Sequence, residues 1–118
     1  MSIESYRDLI VWQRAVAMSV AVYRLTAQFP REETFGLTGQ LRRAGVSVAS
    51  NIAEGNGRAT SGEYRHFLGM ARGSNLELQT QLVIARQLGL GASESIDQAE
   101  GLSFEIGKML VALMKKLR

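Results

Sequence analysis

Cysteine is absent from this sequence, which excludes disulfides and thiolate chemistry. Histidine occurs once, at His66, so a site built from several imidazoles within one chain is excluded as well. Proline also occurs once, at Pro30, and so offers a single sharp stop to helical structure. No apolar run reaches the length needed to cross a membrane, and β-branched residues never alternate over the length of a strand. The opening MSIESYRDLIVWQ lacks the basic head and cleavage site of a signal peptide. The expectation is a soluble, cytoplasmic protein, one all-α domain over residues 1–118, with a core that needs no metal or disulfide.

Net charge is +3, and its distribution is uneven. Residues 1–34 carry four basic and four acidic side chains, and so do residues 91–118. The excess lies in residues 35–90, where six arginines face Glu54, Glu63 and Glu77. That balance permits an anionic partner without requiring one.

Helical periodicity divides the chain into four. Helix 1 is expected over Arg7–Gln28, with Leu9, Trp12, Val16, Val20 and Tyr23 as its apolar stripe. Pro30 ends it and starts helix 2, expected over Glu32–Glu54, where Glu32 and Glu33 complement the dipole. Gly55-Asn56-Gly57 closes that helix. Thr60-Ser61-Gly62-Glu63 reads as a capping box opening helix 3, which continues to about Leu88. Its inward residues are Phe67, Leu68, Ala71, Leu78, Leu82 and Ala85. Gly89 and Gly91 break the chain before helix 4, which begins near Ser93 and buries Ile96, Ala99, Leu102, Ile106, Leu110, Leu113 and Leu117. Its acids precede its lysines, as the helix macrodipole favours. Short links between helices of this length imply an antiparallel, up-and-down four-helix bundle.

Helix 2 carries the most information. Leu37, Leu41, Ala44, Val48 and Ile52 share one face, and Gln40, Ser47, Asn51 and Glu54 run beside them as a polar seam. Polar groups so near a core edge need specific partners. Folding helix 3 back about residues 57–60 sets Ala44 and Gly45 level with Gly73 and Ser74 in a tight small-residue seam, with Gly69 near Val48 and Ala49. The same register sets Gln40 and Arg43 beside a partly buried Glu77, and Asn51 beside His66. A structural polar network of Gln40, Arg43, Ser47, Asn51, Glu54, His66, Ser74 and Glu77 is therefore expected, fixing register and doing no chemistry.

These residues also carry a family resemblance. Asp8-Leu9, Val11-Trp12-Gln13, Phe29-Pro30, Phe35-Gly36-Leu37, Gln40-Leu41-Arg42-Arg43-Ala44, Ser47, Ser50-Asn51-Ile52-Ala53-Glu54-Gly55, Ala71-Arg72-Gly73-Ser74 and Glu77-Leu78 occur in order along nearly the whole chain. The chain resembles the four helix bundle protein family, also called the 23S rRNA intervening-sequence or S23 family. That resemblance implies a small bundle assembling into a homopentamer, often with a central channel. It also implies a relation to the accessory variability determinant of diversity-generating retroelements, a basic pentamer that binds reverse transcriptase and nucleic acid. Most members of the family have no established biochemical activity.

Arg65, Arg72, Gln79 and Arg86 recur every seven residues along helix 3 and form a slowly drifting stripe. With Arg58 in the preceding loop, they are the candidate nucleic-acid contacts, because guanidinium pairs with phosphate oxygens bidentately. A solvated helix face is the plainer reading of the same stripe. No aromatic residues interleave with it to stack on bases. Glu63 and His66 have the spacing of a di-iron bundle motif, but only one copy is present and Glu63 is already used as a cap. No nucleophile–base pair, catalytic residue, cofactor, metal site or small-molecule substrate is expected. Ile10, Val11, Val22 and Leu25 on helix 1, and Met109, Val111 and Met114 on helix 4, exceed what one face needs and suggest assembly through those helices. The favoured function is a non-enzymatic homo-oligomeric adaptor for RNA, DNA or a nucleic-acid enzyme. A protein-binding scaffold without a nucleic-acid role is the alternative, and a metal-dependent enzyme is a remote third.

Overall fold

A computed structural model describes residues 5–118, so the first four residues of the expected domain lie outside it. Four helices fill the described chain: α1 over Ile10–Thr26, α2 over Gly39–Asn56, α3 over Ser61–Gln87 and α4 over Ser93–Lys116. Each packs on its sequence neighbour, and α4 closes the ring by packing on α1. This is the antiparallel up-and-down arrangement. Its long axis of 43 Å is set by α3, since 27 residues at about 1.5 Å each span roughly 40 Å. Among the described residues, no helix is long and apolar enough to cross a membrane.

The helix ends follow from local chemistry. Thr60 caps α3 by accepting a hydrogen bond from the Glu63 amide at 3.1 Å. At the other end Gly89 takes a left-handed φ of 70°. There the Leu90 amide reaches back to Ala85 O at 2.9 Å and the Gly89 amide to Arg86 O at 3.1 Å. Glycine alone adopts that turn without strain. The start of α4 has no capping side chain of its own. Gln28, just past α1, supplies one by accepting from the Ala92 amide at 2.7 Å and donating to Ser95 Oγ at 3.1 Å. One side chain thus caps α4 and ties it to the end of α1.

The expected helix 2 is shorter than its periodicity implied. A 3₁₀ turn over Arg31–Glu33 and a π turn over Thr34–Thr38 precede it, and Gly36 departs from helical geometry (φ −107°, ψ −116°). Kinks of this kind gather at glycine and at π turns, and here the break comes before Gly39. Helix 1 is likewise shortened, because Leu9 is extended between the 3₁₀ turn Tyr6–Asp8 and α1.

The core is continuous, with Leu41, Val48 and Ile52 from α2 and Leu68, Leu78 and Leu82 from α3 fully buried. Ile96, Ile106 and Leu110 contribute from α4. The expected inward faces of helices 2 and 4 hold, and that of helix 3 holds except at Phe67, which lies outside the core with Arg58 over its ring. That of helix 1 does not: its buried residues are Val11, Ala15, Met18, Ala21, Val22, Leu25 and Thr26, while Val20 and Tyr23 are exposed. The two stripes lie roughly 140° apart around the helix. Apolar residues spread over well more than half of α1, so periodicity alone left its orientation degenerate. Trp12 instead sits at the core edge, edge-on to Tyr6 at 5.1 Å. The apolar surplus expected for assembly therefore shrinks. Val11, Val22 and Leu25 are core, Met109 and Met114 pack against it, and Ile10 and Val111 stay exposed.

The α2–α3 register is shifted by one helical turn from the expected one. The chain keeps curling past Asn56, with the Gly57 amide bonded to Ala53 O and Glu54 O and the Arg58 amide to Gly55 O. Its reversal therefore centres near Thr60 and Ser61 rather than near Arg58 and Ala59. Ser47 consequently meets Ser74, Oγ to Oγ at 2.8 Å, and Gln40 meets Gln81 at 3.5 Å. The tight contact also moves. A Cβ on Gly55 would lie 2.8 Å from Phe67 Cβ, whereas one on Gly73 would meet open space.

Candidate nucleic-acid interface

The expected polar network separates into three parts. Ser47, Ser74 and Asn51 form the first, with Asn51 Nδ2 donating to Ser47 O at 2.9 Å and to Ser47 Oγ at 3.0 Å. Gln40, Gln81 and Glu77 form the second: Gln81 Nε2 donates to Glu77 Oε1 at 3.2 Å and to Gln40 Oε1 at the longer 3.5 Å. Glu54 forms the third with Arg58, an ion pair of 2.8 Å one turn along the chain. Glu77 is exposed, not partly buried, and its link to Gln40 runs through Gln81. His66 is exposed, lies edge-on to Phe67 at 5.6 Å, and is not the partner of Asn51. The one-turn shift in register removes that pairing. Arg43 is exposed and lies against Gly39. Its neighbour Arg42 is the stapling residue, donating to Thr26 Oγ1 at 2.8 Å and stacking on the Tyr23 ring at 4.5 Å.

The four candidate arginines divide in two. Arg58 is held by Glu54 and lies over the Phe67 ring at 4.6 Å. Arg86 pairs with Asp97 at 2.8 Å and Glu100 at 3.4 Å across to α4. The hydrogen bond to Asp97 pushes its pKa further above an already high value. Both guanidinium groups thus already have carboxylate partners within the chain.

Arg65 and Arg72 face α4 as well, but at the other end of the bundle, in the angle between α3 and the C-terminal half of α4. There they meet Lys115 and Arg118 around a hollow of about 210 Å³ floored by Val111 and Met114. Among the residues lining it, all of them described, none is an aspartate or a glutamate. The hollow continues into a larger groove of about 710 Å³ between the same helices, edged by Arg72, Lys108 and Lys115 over Leu76, Phe104, Val111 and Ala112. This groove exists because small residues sit where a ridge would otherwise stand. Gly107 has no side chain to fill the space over Asn75, and Ala112 has only a methyl.

Under the groove lies a buried pair that sequence reasoning missed. Ser103 Oγ donates to Asn75 Oδ1 at 2.7 Å, and Asn75 Nδ2 donates to Ser103 O at 3.0 Å. Both side chains are almost wholly buried and satisfy each other. The pair fixes α3 against α4, and therefore fixes the arginines of one helix against the lysines of the other. Asn75 and Ser103 stand at helical spacing with core residues of their own helices, which was the available signal. Lys115 and Arg118 were missed for another reason: the α4 dipole already accounted for cations at that end.

The hollow and the groove are lined by no serine, threonine, histidine, aspartate or glutamate. Among the described residues, no three His, Asp or Glu side chains converge on a point that could hold a metal. Glu63 and His66 are both exposed on the first turns of α3.

Comparison with known proteins supports the fold and the family. A crystal structure of a protein of unknown function from the S23 ribosomal protein family of Bacteroides thetaiotaomicron superposes with a TM-score of 0.80 at 20% identity. The match covers 90% of this chain and 99% of that one. Among curated proteins, none matches. The family model described as 23S rRNA-intervening sequence protein matches residues 7–112, and the chain therefore belongs to that family.

Proposed function

We propose that this chain is a non-enzymatic, self-assembling adaptor that grips nucleic-acid phosphates with Arg65, Arg72, Lys115 and Arg118. One observation carries the reading: these four cations line a single hollow whose lining includes no aspartate or glutamate. Paired surface arginines, such as Arg58 and Arg86, have little field left for a partner; unpaired ones that converge do. Arginine forks suit phosphate oxygens, and the grip needs no base recognition. The family's name connects its members with 23S rRNA, which makes structured RNA the first ligand to try. In the homopentamer implied by the family resemblance, the same hollow recurs on every subunit and its field is multiplied.

The test is a fluorescence-anisotropy titration with structured RNA and duplex DNA at several salt concentrations. Four phosphate contacts on a duplex predict that log affinity falls with log salt at a slope of about −3 to −4. The triple variant Arg65→Ala/Arg72→Ala/Arg118→Ala alters only exposed side chains, and it should lose most of that slope while keeping the fold. Absence of binding to either nucleic acid at low salt refutes the reading. A protein-binding scaffold would then be the better account, favoured by the exposed Phe35, Leu76 and Phe104.

A further inference from the structure

Phe35 is 97% exposed, the most exposed large apolar side chain among the described residues. Scattered apolar residues on a surface are ordinary, but they are rarely this prominent. The π turn Thr34–Thr38 buries Leu37 and Thr38 while leaving Phe35 standing clear at the α1–α2 link. Its neighbours are acidic. Glu32 is exposed, and the Glu33 carboxylate lies against Gly36, within 4 Å of where a Cβ would stand. Arg31 offsets only one of the two acids.

The α3–α4 groove is the complement of this feature. Its floor is apolar and open, with Leu76 46%, Phe104 50% and Val111 36% exposed. Its rim is Arg72, Lys108 and Lys115, and its lining includes no carboxylate. At about 710 Å³ it has room for an aromatic ring together with the backbone that carries it. The ring and the groove belong to different faces of the bundle, and the near-complete exposure of Phe35 shows that a chain does not fill its own groove.

We infer that Phe35 of one copy of this chain seats in the α3–α4 groove of a second copy, with Glu32 and Glu33 against Lys108. An apolar anchor beside a rim of opposite charge matches the general anatomy of an interface hot spot. Because knob and groove are different surfaces, the contact is heterologous, and each copy keeps one free knob and one free groove for the next. The inference rests on the self-assembly half of the proposed function and not on nucleic-acid binding. It assigns the apolar length of the groove to protein and leaves the Arg65–Arg118 end to phosphate.

The absence of cysteine gives a clean test. Thr34→Cys and Ala112→Cys place single thiols beside the knob and in the groove, both at exposed positions. The two variants, mixed with a short bismaleimide, should yield a dimer cross-linked between the two introduced thiols, whereas Thr34→Cys mixed with Ala59→Cys should not. Adding Phe35→Ser should abolish the cross-link, weaken self-association about 30-fold or more in sedimentation, and leave the helical circular dichroism unchanged. Adding Lys108→Glu to Glu32→Lys should recover part of what Glu32→Lys alone loses. A wild-type chain that is monomeric at micromolar concentration overturns self-assembly and this contact together. A wild-type oligomer that Phe35→Ser leaves intact, or a Thr34→Cys and Ala112→Cys mixture that gives no cross-linked product, overturns the contact alone.

Discussion

Replacing Gly55 with alanine tests the packing of α2 on α3 at its closest point. The added Cβ would stand 2.8 Å from Phe67 Cβ, 3.1 Å from Tyr64 Cδ1 and 3.2 Å from Tyr64 O. Two of these atoms cannot swing away, because one is fixed to the Phe67 backbone and another is backbone itself. Relief requires the helices to part. Overpacking that forces such shifts costs about 1–3 kcal/mol, and the fixed contacts argue for the upper end. Alanine's gain in helix propensity, about 1 kcal/mol mid-helix, is smaller in this last turn of α2. The net expectation is destabilisation by about 2 kcal/mol, or a fall in Tm of about 8 °C for a domain of this size. The same substitution at Gly73 or Gly101 meets nothing within 4 Å, and both lie inside exposed helix. There alanine should stabilise by about 0.5–1 kcal/mol. Thermal melts of the three variants, followed by circular dichroism, should therefore move in opposite directions. Phe67→Ala should not rescue Gly55→Ala, because it leaves the offending Cβ in place. A neutral Gly55→Ala, or a Gly73→Ala and Gly55→Ala that fall together, would refute the close α2–α3 approach and with it the shifted register.

Ser103→Ala removes the hydroxyl that satisfies the buried Asn75 Oδ1 and should lower stability by about 1–3 kcal/mol in urea titrations. The double variant Asn75→Leu/Ser103→Ala should cost less than the sum of its single changes, since it leaves no orphaned amide. Gln28→Ala uncaps α4 and should cost about 1 kcal/mol, with faster amide hydrogen exchange confined to the first turn of that helix. Arg58→Ala/Arg86→Ala should leave the salt slope of nucleic-acid binding near that of wild type, because both guanidinium groups are already paired. A loss of slope as large as that of the Arg65/Arg72/Arg118 variant would return the contact surface to the full arginine stripe.

Helix number, order and most inward faces were legible because each rests on local pattern: one proline, two glycine-bearing breaks and apolar spacings of three and four. Helix 1 shows where pattern fails. Apolar on two sides, it satisfied two orientations equally, and only contact with α2 and α4 chose Val11, Met18 and Val22 over Val20 and Tyr23. The α2–α3 partners failed by one turn for a different reason. Counting back from the link assumes that the chain reverses at the link's midpoint, and the continued curl through Arg58 moves that point. A single turn was enough to replace the His66–Asn51 pairing with the Ser47–Ser74 bond and to draw Gln81 into the network.

The basic hollow was invisible for a more general reason. A charge census by segment divided the chain into a basic middle and two neutral ends, and the C-terminal lysines were cancelled against acids at the start of the same helix. Space does not cancel them that way. α4 is 24 residues long, and its acids Asp97 and Glu100 stand roughly 22–27 Å along it from Lys115. That exceeds the screening length at physiological salt severalfold, so the two ends present separate fields. The acids instead meet Arg86 near the top of α3 and neutralise it, while the lysines come down beside Arg65 and Arg72. Antiparallel packing thus sorts a stripe of like charges into a paired half and an unpaired half. The useful quantity is therefore the charge at each height of the bundle, not the charge of each helix, and it can be worked out from sequence once the register between helices is known.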